Sequence, residues 1–275
     1  MIEFPIGLVI TSILGAIFAG FVCSTMGTFV VRMNLASIGY LMSHAAFAGA
    51  AFGLMVSIDP MVGAIIFSFA TALILGPLSQ KARLESNVVI GFLFSFMIAL
   101  AFIFLNYIPG QAASGKALRI LWGSILSVTY NDILLLIFLS FVIIIFISVF
   151  YKELLSVMFN KKLAESSGIN TNLFYFAVLF FTGIAVSFSI RIVGGLLVFA
   201  LIINPTSTAY QFIYDFKKII IVSPIIGIFS CILGYYVSLL TDFPVGASIV
   251  IVSSIIFAIA ILISPKRKKK NGKKR

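Results

Sequence analysis

The chain has one histidine, His44, and it stands inside a long apolar segment rather than in a loop. Ionisable side chains within a membrane are costly, about 2.5–3.5 kcal/mol for charged residues on insertion scales. Neutral imidazole costs less, and it is the commonest transition-metal ligand near neutral pH. Tyr40 precedes His44 by four residues, so on a helix the two rings share a face, with Ser43 adjoining it. Two readings fit these residues: a histidine hydrogen-bonded to a neighbouring helix, or a metal-handling group on a translocation path. The residues around it are small, from Ala45 and Ala46 to Gly49 and Gly53, and the two glycines are spaced GxxxG. Close helix packing explains that run, and a path at a subunit contact would use the same property.

Other chemistries lack their parts. The acidic residues Glu3, Asp59, Glu85, Asp132, Glu153, Glu165, Asp215 and Asp242 all fall in loops or at the ends of apolar runs. No mid-membrane carboxylate is left for a proton or sodium relay. Paired carboxylates, a nucleophile with its base and a second histidine are all missing, so catalysis is not indicated. Gly110–Ala117 reads GQAASGKA, which fits a phosphate loop until its last position, where Ala117 has no hydroxyl for Mg²⁺. Any ATP hydrolysis must therefore come from another chain. Cys23 and Cys231 lie in separate apolar runs and form neither a CxxC pair nor a disulfide framework.

The elements that hold these residues are membrane helices. Apolar residues make up 61% of the 275 positions and charged ones 10%, with a mean hydropathy of +1.21. A water-facing surface cannot be covered from that composition. At about 20 apolar residues per crossing, nine spans are predicted, near residues 6–31, 38–58, 60–78, 87–107, 131–150, 172–190, 192–212, 218–240 and 246–264. The fold class is thus all-α, a polytopic bundle of about eight to nine spans. The 192–212 span is the weakest because Pro205 interrupts it, and with Gly194 and Gly195 it permits a broken or closely packed helix.

The first run, from Ile6, follows no basic stretch, so an uncleaved span is expected there. With the N-terminus outside and the spans alternating, only Lys116, Arg119 and Arg191 among the basic residues fall outside. Residues 1–265 then form one membrane domain, and 266–275 form a basic cytoplasmic tail that carries most of the +11 net charge. Directly after a span, such a tail reads as a topology anchor in contact with anionic lipid, not as a nucleic-acid site. The longest inside loop, 151–171, contains a mixed-charge stretch, Phe159 to Ser167, able to form a short helix stopped by Gly168. It is either a solvated helix or an element that docks a cytoplasmic motor.

Three stretches resemble the membrane permeases of zinc- and manganese-type ABC importers. They are GTFVVRMNLASIGYLMSHAAFAGAAFG (Gly27–Gly53), FNKKLAESSG (Phe159–Gly168) and RIVGGLLVFALIINPTSTA (Arg191–Ala209), with a weaker match at LWGSILSV (Leu121–Val128). They occur in the family's order across nearly the whole chain. The resemblance implies a homodimeric permease in the plasma (inner) membrane, with two cytoplasmic ATP-hydrolysing subunits and an extracytoplasmic metal-binding protein. It implies a divalent metal carried transiently, with no tightly bound cofactor, and a coupling helix bearing Phe159, Ala164 and Gly168. Zinc and manganese are the leading substrates and iron the next. One departure matters: the family commonly places an Asp one turn before the histidine, where this chain has Tyr40. Imidazole suits zinc while manganese prefers oxygen ligands, so the loss tilts the expectation towards zinc. A stand-alone secondary transporter and an ABC permease for a non-metal substrate are the alternatives.

Overall fold

A computed structural model of the chain describes residues 6–82, 84–108, 128–194 and 198–266. Among the described residues all regular structure is helical. The helices are α1 (Ile6–Arg32), α2 (Ile38–Met55), α3 (Pro60–Ala82), α4 (Ser86–Asn106), α5 (Tyr130–Val149), α6 (Tyr151–Phe159), α7 (Lys161–Ser166), α8 (Thr171–Val193), α9 (Val198–Phe212), α10 (Phe216–Thr241) and α11 (Val245–Ile263). Helices are the natural solution for such a sequence, because lipid offers the backbone no hydrogen-bond partner. Polar residues mark where they begin. Thr129 and Asp132 form a reciprocal capping box before α5, and Asn170 and Asp215 cap α8 and α10.

Eight of these helices are long and apolar enough to cross a membrane. Of the other three, α6, α7 and α9, the last corrects the expected 192–212 span, because α9 has only 15 residues. That is about 22 Å of helix against a hydrocarbon core of about 30 Å. The interruption also lies elsewhere than at Pro205, which sits buried inside α9. The chain leaves α8 at Gly194, whose φ of 97° suits glycine alone. Gly195 and the near phosphate loop at 110–117 lie outside the described residues, as do Lys116, Arg119 and most of LWGSILSV.

Helices α1 and α2 form the centre. Ala16, Ala19, Cys23 and Met26 of α1, and Leu41, Ala45 and Ala48 of α2, are all fully buried or nearly so. The GxxxG run does close the α2–α3 hairpin: a Cβ on Gly49 would stand 2.1 Å from the Gly63 carbonyl oxygen. The outer helices turn Phe92, Phe96, Phe138, Phe141 and Phe229 outward. An apolar exterior of this kind is lipid-facing by composition.

The basic loops gather at one end of the bundle. Phe29 near the end of α1 meets Phe216 at the start of α10, with ring centroids 5.7 Å apart. Lys217 lies 5.4 Å from the Tyr151 ring centroid. Burial, and then the Asp215 carboxylate, push the Tyr151 phenol above its usual range. Lys161 of α7 shares a cavity of about 290 Å³ with Ser79, Leu84, Ser86 and Tyr175. Lys266, which follows α11, binds backbone at the end of α9. The C-terminus of α9 therefore returns to the end from which α8 departed.

Candidate functional site

Helix α2 follows a turn in which Asn34 has φ 57°, and its first turns carry Tyr40 and His44 side by side. The Tyr40 ring stacks on Phe199 of α9 at a centroid distance of 3.7 Å and an interplanar angle of 29°. Phe94 of α4 presents its edge to both rings, 4.7 Å from His44 and 6.3 Å from Tyr40. Tyr40 is 43% exposed and His44 is half-buried, so this face of α2 is open beside Ser37. One turn further on, Phe47 and Ala48 are buried and the opening ends.

His44 makes no hydrogen bond to another described residue, and its ring meets that of Phe94 of α4. Ser43 behaves differently: it is buried, and its hydroxyl donates to the Gly39 carbonyl at 2.8 Å within the same helix. The structure thus brings Tyr40 and His44 together and sets the Ser43 hydroxyl apart from them. Phe94 and Phe199 were not legible beforehand, because uniformly apolar spans carry no register. Among the described residues no cluster of three or more His, Cys, Asp or Glu side chains is arranged to hold a metal.

Helix α9 reaches this site across a proline. Pro205 has no N–H for the Leu201 carbonyl four residues earlier. That carbonyl accepts instead from the Ser24 hydroxyl of α1, at 3.1 Å. Thr206 and Ser223 lie 2.8 Å apart and both reach the Ser24 carbonyl oxygen, at 3.2 and 3.0 Å. Asn204 donates to Ser253 and Ser254 of α11, each at 3.1 Å. The carbonyl freed by Pro205 thus has a named donor.

The 159–168 segment differs from the single short helix predicted for it. Phe159 is the last residue of α6, and Asn160 turns the chain and caps α7 by accepting from the Lys162 and Leu163 amides. Phe159 is 75% exposed and Leu163 58%, whereas Ala164 is buried. Gly168 has φ 80°, and its amide and that of Ile169 donate to Glu165 and Ala164, which is a Schellman end. Asn160 is thus the cap that divides two helices.

Residues 6–264 match the ABC 3 transport family. The chain belongs to that family. It is therefore a multi-pass permease of the plasma membrane. The ABC 3 chain is 33% identical to "Manganese transport system membrane protein MntC" of Listeria monocytogenes, over 96% of this chain and 93% of that one. It is 28% identical to "Manganese import system permease protein ScaB" of Streptococcus gordonii, over 94% and 91% of the two chains. Among solved structures, "PsaBC from Streptococcus pneumoniae in complex with Fab" superposes with a TM-score of 0.87 at 26% identity. That match covers 98% of this ABC 3 chain and 96% of the other.

Proposed function

We propose that this permease carries a divalent transition-metal ion inward, past His44, by alternating access driven by separate ATPase subunits. The family and its manganese-transporting relatives, matched over nearly the full length, support the metal and the direction. The single observation that carries the site is His44: an imidazole inside a membrane helix, half-open and without a hydrogen-bond partner among the described residues. At neutral pH it offers a lone pair to a borderline cation without a buried negative charge. Tyr40, in place of a carboxylate, leaves the site short of the hard oxygen donors that manganese prefers. Zinc is therefore the favoured cargo and manganese the second.

Two copies of the chain would face each other across the open side of α2 and α4, doubling His44 along one path. Gly91 of α4, with open space around it, and exposed Ser95 stand on that side. The end that gathers the basic loops is the cytoplasmic one. There the exposed Phe159 and Leu163, two large apolar groups on a surface outside the spans, meet the ATPase. A capture protein outside the cell would deliver the ion. The turn at Gly194 keeps α9 a separate short helix, with Pro205 inside it.

The test is ATP-dependent uptake of zinc and of manganese into vesicles holding the permease with its ATPase and capture protein. Loss of uptake in His44→Ala, with assembly intact, is the expected result. Undiminished uptake in that variant would remove His44 from the path.

A further inference from the structure

Besides the hydrogen bonds of Asn204 and Thr206 along its length, three different kinds of contact hold helix α9. Its middle rests on α1, where the Ser24 hydroxyl binds the Leu201 carbonyl. Gly27 of α1 puts no side chain between the two backbones. Its first turn presses Phe199 onto Tyr40. Its last turn is clasped by the residues that follow α11. The Ser264 hydroxyl donates to the Gln211 carbonyl at 3.1 Å. The Lys266 ammonium donates to the carbonyls of Tyr210 and Ile213, the latter at 3.2 Å, and lies 4.2 Å from the Tyr214 ring centroid.

The clasp fits the chemistry of a helix end. The last carbonyls of a helix have no amide partner within it, and the helix dipole leaves negative charge there. An ammonium with three donors answers both, and the Tyr214 ring adds a cation–π contact. Lys266 is thus taken up by the fold, although in sequence it opens the basic tail. A helix of 15 residues is too short to be fixed in depth by its own hydrophobic length, so contacts along it and at its ends must fix it.

We infer that Lys266 is a positioning residue for the aromatic closure beside His44. By holding the last turn of α9 it sets the depth and tilt at which the first turn presents Phe199 to Tyr40. Helix α9 is one packed element that touches both ends, so a displacement at one is carried to the other. Releasing the clasp lets α9 tilt on its Ser24 contact and parts the stack. The consequence for transport rests on the role proposed for His44, whereas the geometric consequence does not.

The experiment uses the assembled transporter in membranes. Tyr40→Cys and Phe199→Cys are combined, and the yield of their cross-link by a short bifunctional thiol reagent is read by mass spectrometry. Lys266→Gln is expected to lower that yield several-fold. Lys266→Arg, which keeps the charge and the donors, is expected to restore it. Uptake of zinc, in chains that retain Tyr40 and Phe199, should change in the Gln variant and not in the Arg variant. Equal cross-linking in all three would overturn the inference, whatever His44→Ala does to uptake. If Lys266→Gln does not assemble, Ser264→Ala combined with Tyr214→Leu loosens the same clasp without removing its charge. An unchanged yield in that pair would overturn the inference equally.

Discussion

At the scale of single residues, the unusual feature is a histidine surrounded by rings instead of carboxylates. Stacked and edge-on aromatic pairs contribute about 0.5–1.5 kcal/mol beyond their buried area, enough to bias a closure without locking it. Phe199→Ala removes the stack on Tyr40. In a His44→Cys background it should speed the reaction of position 44 with a water-borne thiol reagent. An unchanged rate would mean that the ring does not cover the site. Tyr40→Asp supplies the missing oxygen donor one turn from His44. It is expected to raise uptake of manganese relative to zinc, measured as the ratio of the two in one vesicle preparation. No change in that ratio would dissociate position 40 from selectivity.

Between residues and the whole molecule stand the two elements whose irregularities matter, α9 and the α6–α7 pair. Ser24→Ala leaves the Leu201 carbonyl without a donor, while Thr206 and Ser223 keep the Ser24 backbone oxygen. The orphaned buried group should cost about 1–3 kcal/mol, seen as a lower melting temperature in detergent. A melting temperature equal to the wild type would show that water or a neighbour replaces the hydroxyl. Phe159 is the opposite case. It is three-quarters exposed, so Phe159→Ala should leave the melting temperature alone yet weaken co-purification of the ATPase. Retained co-purification would move the docking point away from the α6–α7 corner.

For the whole molecule the question is the number of crossings. Eight helices have spanning length, yet α9 ends where α10 begins and where Lys266 returns. Nine passes put the α2–α3 turn and the α9–α10 turn on opposite sides of the membrane. Ile58→Cys should therefore react with an impermeant thiol reagent applied to intact cells, and Lys218→Cys only after permeabilisation. Labelling of both from the same side would mean that α8 and α9 do not form a full out-and-back passage.

Much of this was legible in the chain alone. Membrane class, helix type and approximate span positions follow from hydropathy and charge placement. Each of these is a local property, set by what a backbone in lipid must do and where charge cannot go. Contacts between spans are not local. Apolar segments match one another in any register, so nothing in the sequence pairs Tyr40 with Phe199 or Phe94. Ser43 looks like a neighbour of the path, but only the fold reveals that its hydroxyl is spent on Gly39. Pro205 looks like the place where a helix stops. The tertiary structure instead supplies Ser24 across the gap and lets the helix run on, so that the break falls at Gly194, where the backbone needs a positive φ. Lys266 looks like the first residue of a solvated tail, and it is the end of α9 that converts it into a clasp. The hydrophobic pattern by itself determined that this chain lives in a membrane; how its short helix is held against Tyr40 was decided by hydrogen bonds and ring contacts between residues far apart in sequence.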